Sequence, residues 1–337
     1  MRFRVCSRKI GLVTPDLADL LDRVHVVALP MRVRFRGITV RELALIEGPA
    51  AWGEFGAFIE YEPPEAAHWL SSAIESAYQT TPPALRDRIP VNATVPAVAP
   101  EQVAELLSRF PGARTAKVKV AEPGQTLHDD VARVDAVRAL VQTVRVDANA
   151  GWNVDEAVTA AKALGPLEYI EQPCRTVEEL AEVRRRVDTP IAADESIRKA
   201  DDPLRVVRAN AADVAVLKVA PLGGTTALLT IAAQIDIPVV VSSALDSAVG
   251  IATGLCAAAA LPTLQHACGL ATGQLFEEDV VDPTPPVDGY RPVGPVTPDP
   301  ARLESLKAAP GRRDWWLRRI IACYEHIEPA SRARKLK

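Results

Sequence analysis

The sequence is poor in cysteine and in aromatic residues, and it has no excess of basic charge. Its five cysteines are scattered along 337 residues and form no CxxC pair, so neither a disulfide framework nor a zinc ribbon is expected. The formal net charge of −4 argues against nucleic-acid and membrane-surface partners, which usually bind a basic patch. No apolar run reaches the ~18 residues of a membrane-spanning helix, and no signal-peptide pattern is found at the N-terminus. These absences predict a soluble protein of the cytoplasm.

The apolar residues that are present fall into short runs of strand character. Hydrophobic residues make up 48% of the chain but aromatic residues only 5%, a composition that fits many packed strands and helices. Segments of helical composition lie between the runs, and this alternation predicts a parallel sheet. Five runs each end in a charged residue that chemistry could use: TAKVKVA (115–121), VRVDANAGW (144–152), LEYIEQP (167–173), IAADES (191–196) and VAVLKVAPLGG (214–224).

The spacing of those charged residues indicates a barrel. Lys119, Asp147, Glu171, Asp194 and Lys218 follow one another at intervals of 23 to 28 residues. One βα unit of a barrel takes roughly 25 to 35 residues, so each residue falls at the same point of its unit, the carboxyl end of the strand. In a (β/α)8 barrel these ends line one open face, where charged residues are typically catalytic. We therefore expect the five side chains to converge.

The chain is longer than a barrel of about 250 residues, which leaves room for a smaller companion domain. Residues 1–88 lack the βα rhythm and combine strand patterns with one helical pattern, which predicts an α+β domain. Residues 89–282 carry the barrel pattern, with HACGLATG (266–273) as a short, irregular eighth unit. Residues 283–337 form a proline-rich tail with a predicted helix at 312–327, and we expect this tail to pack on the first domain.

Three of the converging residues are suited to hold a metal ion. Asp147, Glu171 and Asp194 supply hard oxygen ligands from three consecutive strands, and no histidine or cysteine lies in these motifs. Such a donor set favours Mg²⁺ or Mn²⁺ over Zn²⁺. The sequence therefore predicts a magnesium site, with open positions for water or a substrate oxygen.

Two lysines, Lys119 and Lys218, are predicted to flank this site on different strands. A lysine near a divalent cation has its ammonium form disfavoured, so it can act as a base near neutral pH. The expected use is removal of the proton α to a carboxylate, with the metal stabilising the enediolate that forms. This combination of lysine and magnesium is the one described for the enolase superfamily.

The motifs resemble one branch of that superfamily. KVKV, DANAGW, EQP, ADES and LKVAPLGG, in this order and spacing, are similar to the muconate-lactonizing branch. The resemblance implies a (β/α)7β TIM-like barrel with an α+β capping domain formed by the N-terminal segment and the C-terminal tail. It also implies Asp147, Glu171 and Asp194 as metal ligands, Lys119 as one acid/base, and Lys218 on the opposite face.

Other segments resemble a narrower family. FRGITVREL, GPAAWGEFGAFIEYEPPEAAHWL and VVVSSALDSAVG are similar to the actinobacterial o-succinylbenzoate synthases of menaquinone biosynthesis. That resemblance implies a lyase that dehydrates a succinyl-substituted cyclohexadiene carboxylate in the syn sense, with Lys119 first as base and then as acid. Lys218 would stay protonated and help stabilise the intermediate. Ser242 and Ser243 are candidates to bind the succinyl carboxylate, and residues 52–58 to close over the ring.

Three further polar residues lie on the same strands as the predicted site. Lys117 is expected to assist or orient Lys119, or to contact the substrate carboxylate. Asn149 is expected to contact either substrate or a neighbouring side chain. Arg145 is expected either to be a structural charge that neutralises the carboxylates from below or to contact the substrate.

The motifs do not decide which reaction is catalysed, because the same pair of lysines can catalyse several reactions of a small-molecule carboxylate. The alternative to dehydration is racemisation of N-acylamino acids or epimerisation of dipeptides, in which Lys119 and Lys218 exchange protons on opposite faces of one carbon. Cycloisomerisation is third. A lysine that forms a Schiff base, as in barrel aldolases, is disfavoured by the three carboxylates, and the complete set of acids and lysines disfavours a non-catalytic binding barrel. Oligomeric state is not indicated.

Overall fold

The computed structural model describes residues 14–35, 37–198 and 202–327. Residues 1–13, 36 and 328–337, which belong to the two predicted outer segments, and residues 199–201 of the predicted barrel lie outside this description. None of the helices in the described ranges combines the length and the apolar character that a membrane crossing requires.

The described N-terminal part is a three-stranded antiparallel sheet with helices. Helix α1 (Leu17–Asp22) leads into β1 (Val24–Phe35), β2 (Ile38–Glu47) and β3 (Trp52–Phe55), and α2 (Pro63–Tyr78) follows. The strand order is β1-β2-β3. Strand β3 lies directly on α2, because a Cβ added to Gly53 would meet the carbonyl oxygen of Ala73 at 1.9 Å. Only glycine permits this approach of strand to helix.

The barrel strands follow β4 (Arg88–Pro90). Seven parallel strands form one curled sheet in the order β11-β10-β9-β8-β7-β6-β5. They are β5 (Ala93–Val95), β6 (Thr115–Lys119), β7 (Thr143–Asp147), β8 (Ile170–Glu171), β9 (Ile191–Ala193), β10 (Val214–Lys218) and β11 (Val239–Ser242). The helices after them are α3 (Val103–Leu107), α4 (Leu127–Arg138), α5 (Val154–Leu164), α6 (Val177–Arg186), the short pair α7 (Glu195–Arg198) and α8 (Arg205–Arg208), α9 (Thr225–Ala232) and α10 (Ala248–Ala260).

A two-residue segment closes the barrel between its edge strands. Cys268 bridges Val91 beside β5, and Gly269 bridges Ser242 at the end of β11. The N–H of Gly269 donates to the carbonyl of Val241 at 2.9 Å. A Cβ on Gly269 would lie 2.4 Å from the Ser242 hydroxyl oxygen, so this contact requires glycine. The short eighth unit expected from the sequence therefore takes the place of the eighth strand.

Three consecutive barrel helices begin with the same capping arrangement. In each, a side chain before the helix accepts from a backbone N–H of the first turn, and an acidic side chain in that turn accepts from the capping residue's N–H. Such a cap contributes about 1 kcal/mol and fixes where the preceding loop ends. The pairs are Thr126 with Asp129 in α4, Asn153 with Glu156 in α5, and Thr176 with Glu179 in α6.

The barrel interior is a small apolar cluster of Tyr169, Ala192, Val214, Val216 and Val240, all buried. Residues two apart on a strand share a face, so the faces that carry these residues also carry the predicted site residues at the strand ends. The cluster is therefore the floor beneath those strand ends.

The C-terminal segment returns to the N-terminal sheet. Strand β12 (Tyr290–Pro292) pairs antiparallel with β4, and α11 (Pro300–Ser305) and α12 (Pro310–Tyr324) follow. On α12, the Trp316 ring packs edge-on against Phe55 with centroids 5.6 Å apart, and Arg312 Nε donates to Glu42 at 2.8 Å. Both contacts join α12 to the sheet.

Candidate active site

The three predicted metal ligands lie side by side at the ends of neighbouring strands. Asp147 on β7 is directly opposite Glu171 on β8, and Asp194 comes one residue after β9. All three are buried, with at most 1% of the residue exposed. Glu171 pairs with Ala192, so Asp194 lies two residues farther along the next strand, on the same face. All three carboxylates are at the carboxyl ends of strands, as the sequence spacing predicts.

Each of these carboxylates contacts a lysine. Lys119 Nζ lies 2.5 Å from Asp147 Oδ2, and Lys218 Nζ lies 2.6 Å from Asp194 Oδ2. Lys117 Nζ donates to both oxygens of Glu171, at 2.8 and 2.9 Å, and lies 3.1 Å from Asp147 Oδ2. The structure thus brings all six charged groups into one cluster of three acids and three bases.

The two predicted catalytic lysines lie on opposite walls of the barrel. Lys119 ends β6 and Lys218 ends β10, and β7, β8 and β9 with their acids lie between them. In a ring of eight positions, β6 and β10 are four places apart. Their ammonium groups therefore approach the barrel mouth from opposite sides.

The crowding of charge changes the acidity of the carboxyl groups. Burial alone would raise the pKa of Asp147, but the charges of Lys119 and Lys117 outweigh it and hold that pKa well below its usual value. Glu171 has the opposite outcome: burial and the nearby negative charge of Asp147 raise its pKa to about 7. Burial opposes the charge on Lys117, yet Glu171 and Asp147 raise its pKa above the usual value. Lys117 is therefore held as an ammonium group.

Asp194 has a second cationic partner that the motif analysis did not find. Arg198 on α7 donates from Nε to Asp194 Oδ1 at 2.9 Å and from Nη2 to Glu195 Oε1 at 2.6 Å. Arg198 also donates to the hydroxyl of Tyr61, which follows β3. Against the effect of burial, Arg198 and Lys218 lower the pKa of Asp194. The i,i+4 spacing of Asp194 and Arg198 could have predicted their ion pair, but nothing in the sequence predicts the contact of Arg198 with Tyr61.

Two residues just after the acids adopt the left-handed backbone conformation, which is uncommon outside glycine. They are Asn149, with φ 45°, and Gln172, with φ 40°. The Asn149 side chain accepts from Lys119 Nζ at 2.6 Å, and the Gln172 side chain accepts from the N–H of Asp194 at 3.0 Å. These turns aim polar side chains back at the site, as strained residues at functional sites often do.

Six predicted site residues line one small cavity at the barrel mouth. The cavity has a volume of about 30 Å³, and Phe35 at the end of β1 lies over it, with its ring 5.5 Å from Lys119 Nζ. Residues 52–58, expected from the sequence to close over the ring, do not line it. The six are Lys117, Lys119, Asn149, Lys218, Ser242 and Ser243.

The loop that carries the two serines is held from the N-terminal sheet. The Ser243 hydroxyl shares a 2.7 Å hydrogen bond with that of Thr272. Farther along, Glu54 on β3 accepts from the N–H and the hydroxyl of Ser247, at 3.0 and 2.5 Å. Arg41 on β2 donates to the carbonyl of Leu245 at 3.1 Å. The position of the serines therefore depends on both parts of the molecule.

Arg145 has a structural position below the site. It is fully buried, donates to Glu168 at 2.8 Å and to the Tyr169 hydroxyl at 2.8 Å, and lies over the Tyr169 ring. Its ion pair is thus with Glu168 and not with the three carboxylates above it.

The carboxylates offer oxygen ligands but are turned toward cations of the chain. Among residues 14–35, 37–198 and 202–327, no three Asp, Glu, His or Cys side chains are close enough to hold a metal ion as they stand. The donor set nevertheless fits a hard divalent cation, because three buried carboxylates lie on neighbouring strand ends, and burial together with the negative charge of Asp147 raises the pKa of Glu171. A bound cation would relieve that repulsion.

Family models match both parts of the chain. Residues 26–77 match the enolase N-terminal domain-like family, and residues 100–298 match the enolase C-terminal domain-like family. Among solved structures, muconate lactonizing enzyme from Pseudomonas fluorescens superposes with a TM-score of 0.72 at 23% identity, covering 85% of this chain and 98% of that one. The L-Ala-D/L-Glu epimerase from Bacillus subtilis gives 0.69 at 22% identity, covering 82% and 96%. These two likenesses show the shared fold.

Relatives in sequence are much closer. An o-succinylbenzoate synthase from Mycobacterium marinum is 75% identical over 311 residues, which is 91% of this chain and 95% of the relative. That of Mycolicibacterium smegmatis is 72% identical over 316 residues, 93% and 98% of the two chains. That of Mycobacterium tuberculosis is 71% identical over 321 residues, 94% and 98%. The predictions of family, barrel fold and lyase class are confirmed. The chain therefore belongs to the enolase superfamily and, within it, to the o-succinylbenzoate synthase family of lyases.

Proposed function

We propose that the protein removes water from a succinyl-substituted cyclohexadiene carboxylate to form o-succinylbenzoate, a step of menaquinone biosynthesis. The observation that carries the proposal is the placement of Lys119 and Lys218 on opposite walls, with three carboxylates between them at the carboxyl ends of β7, β8 and β9. A substrate carboxylate held at these strand ends would present its α carbon to both ammonium groups. Loss of water makes the ring aromatic, which supplies much of the driving force.

Asp147, Glu171 and Asp194 are the residues that would hold Mg²⁺, or Mn²⁺ in its place. When bound, the cation would stabilise the negative charge that builds up on the substrate carboxylate. For the carboxylates to serve as ligands, Lys117, Lys119 and Lys218 have to give up part of their present contacts. Arg198 keeps one oxygen of Asp194 oriented during that exchange.

Lys119 carries the proton in both halves of the reaction. As the neutral amine it takes the α proton, and the electron pair of the broken C–H bond is delocalised into the carboxylate. As ammonium it then returns that proton to the departing hydroxyl on the same face of the ring, which leaves as water. Asn149 accepts from Lys119 Nζ at 2.6 Å and so fixes the direction of this side chain.

Lys218 and Lys117 serve as charges in this scheme. Lys218 stays protonated on the far wall and balances the negative charge of the reacting carboxylate. Lys117 is held as ammonium by Glu171 and Asp147, which suits it to support the acids and not to transfer protons. This division of roles gives one acid/base and two fixed cations.

Ser242 and Ser243 would donate to the succinyl carboxylate. Both are buried at the end of β11 and line the cavity beside Lys218. The cavity holds about 30 Å³, whereas small-molecule sites usually have 300 Å³ or more. Substrate entry therefore requires Phe35 and Leu245, which both line it, to move apart.

An ultraviolet assay of aromatisation tests the proposal. The full chain with Mg²⁺ is expected to convert the cyclohexadiene substrate, and chelator is expected to abolish the conversion. N-succinylamino acids are assayed in parallel, because opposed lysines can also exchange protons on two faces of one carbon. Racemisation without any dehydration would replace the proposal with the racemase alternative.

A further inference from the structure

A second cavity lies on the outside of the barrel, beside the stretch that follows the closing segment of Cys268 and Gly269. It has a volume of about 370 Å³ and lies between the end of α3, the start of α10 and the stretch 273–285. None of its lining residues lines the active-site cavity. Its volume is within the range of small-molecule sites, roughly 300 to 1,000 Å³.

Arg291 lines this cavity and has a buried donor without an acceptor. The residue is on β12 and only 9% exposed. Its Nε is a buried donor without an acceptor, and the guanidinium forms no ion pair or hydrogen bond with any residue in the described ranges. Other buried arginines form ion pairs, among them Arg145 with Glu168, Arg133 with Asp130 and Arg198 with Asp194. A buried donor on a charged group is costly to leave without an acceptor, so an anion that accepts from this Nε would be stabilising.

Two more arginines line the same cavity. Arg109 donates from Nη2 to Glu105 at 2.7 Å, but its Nη1 is buried without an acceptor among the described residues. Arg32 donates from Nη2 to the carbonyl of Glu277 at 3.1 Å. A guanidinium has five N–H donors in a flat fork that suits two oxygens of one anion. The cavity therefore presents spare donors of the right kind.

Four acids, Glu277, Glu278, Asp279 and Asp282, also line the cavity, and the charge of Asp279 acts on Arg291. Asp279 is buried, but its two oxygens accept from the N–H groups of Val280, at 2.7 Å, and Ala248, at 3.0 Å. Asp282 is paired with Arg302 at 2.5 Å. Neither oxygen of Asp279 is therefore hydrogen-bonded to Arg291, whose Nε keeps a donor without an acceptor.

The rest of the wall is apolar in part, with Pro111, Ile251 and Phe276 among the lining residues. We propose that this cavity binds a small organic anion whose carboxylate or phosphate group is held by Arg291 and Arg109. The apolar wall would contact the remainder of the ligand.

Calorimetric titration of the full chain with benzoate and with inorganic phosphate, each at constant ionic strength set by chloride, tests the proposal. Wild type is expected to bind at least one probe in the millimolar range, and the preferred probe identifies carboxylate or phosphate as the recognised group. Arg291→Met is expected to weaken that binding about tenfold, the loss of one charge-assisted contact. The control is Arg88→Met, on the neighbouring strand β4, where Arg88 is exposed and lies over the Tyr290 ring. It should bind as wild type does.

Thermal unfolding of the same variants in chloride buffer gives an independent readout. Because no residue in the described part of the chain accepts a hydrogen bond from the Arg291 side chain, Arg291→Met should unfold at the same temperature as wild type or higher. Arg109→Gln provides a second variant with weakened binding. Unchanged binding in both Arg291→Met and Arg109→Gln, or no binding of either probe to wild type, would overturn the proposal. A lower unfolding temperature in Arg291→Met with unaltered binding would make Arg291 a structural residue.

Discussion

The ammonium group of Lys117 lies within 2.9 Å of both carboxylate oxygens of Glu171 and 3.1 Å from Asp147. One lysine of β6 thus balances acids on the next two strands. The acid cluster is compensated by the chain itself, and a divalent cation has to compete with this arrangement for the same oxygens. Two expectations about stability follow from this competition.

Mg²⁺ should stabilise the folded protein through the three carboxylates. At a concentration 100 times the dissociation constant, a ligand of the folded state adds about 2.7 kcal/mol, which corresponds to several degrees in the unfolding midpoint. Calorimetry with Mg²⁺ and then with chelator measures the shift. It should disappear in Asp147→Asn, Glu171→Gln and Asp194→Asn but persist in Asp213→Asn, whose carboxylate pairs with Arg184 away from the site. A full shift in all of the first three variants would refute the ligand assignment.

Lys117→Met should destabilise the metal-free protein. The change leaves Glu171 and Asp147 buried without their shared cation, and breaking a buried ion pair costs about 3 to 5 kcal/mol. Urea unfolding measures the loss, and Mg²⁺ should restore part of it because the ion supplies positive charge at the same place. A variant as stable as wild type without metal would show that Lys117 does not hold the acids.

Ser243→Ala should raise the KM for the substrate about tenfold or more, the loss of a hydrogen bond to a charged group, with a much smaller effect on kcat. The Ser243 hydroxyl also contacts Thr272, so steady-state kinetics of Thr272→Val provide the matched control. That variant keeps the serine and should change KM less than about threefold. Equal effects in both variants would mean that Ser243 only supports the loop.

Glu42 should make the attachment of α12 sensitive to acid. Burial pushes the pKa of Glu42 upward, but hydrogen bonds from Arg312 and Trp316 outweigh it and hold the pKa below its usual 4.5. A carboxyl group of this kind stabilises the fold above pH 4.5, and the contribution is lost as the pH falls through the folded-state pKa. Glu42→Gln should therefore cost about 1 kcal/mol at pH 7, since solvent screens this partly exposed pair, and progressively less below pH 4, as measured by urea unfolding. A cost independent of pH would contradict this.

The ends of the barrel strands could be predicted from the sequence because they depend on local residue patterns. A short apolar run predicts a strand, and the regular spacing of the βα units predicts which residue ends each strand. Asp147 and Glu171 therefore lie opposite each other, as expected. The C-terminal helix was also visible from its composition. The boundaries near residues 88 and 282 stay predictions.

Side-chain contacts between segments far apart in the sequence could not be predicted in the same way. Which lysine contacts which acid depends on side-chain directions across neighbouring strands, so the pairing of Lys117 with Glu171 had no sequence signal. Phe35 is far along the chain from the barrel motifs, and its place over the cavity depends on how β1 is positioned. The carboxylate of Glu54 contacts Ser247 only because the N-terminal sheet packs on α10. Each of these is a consequence of tertiary packing.

The central claim is that Lys119 moves the proton at a site built by the three acids. The most direct test is the rate of aromatisation by Lys119→Ala under saturating Mg²⁺, with the Mg²⁺-induced stabilisation measured on the same preparation. We expect kcat/KM to fall at least about 10³-fold, the scale of general acid–base catalysis, while the metal still stabilises the fold. A variant that binds metal and retains more than a tenth of wild-type turnover would contradict the account.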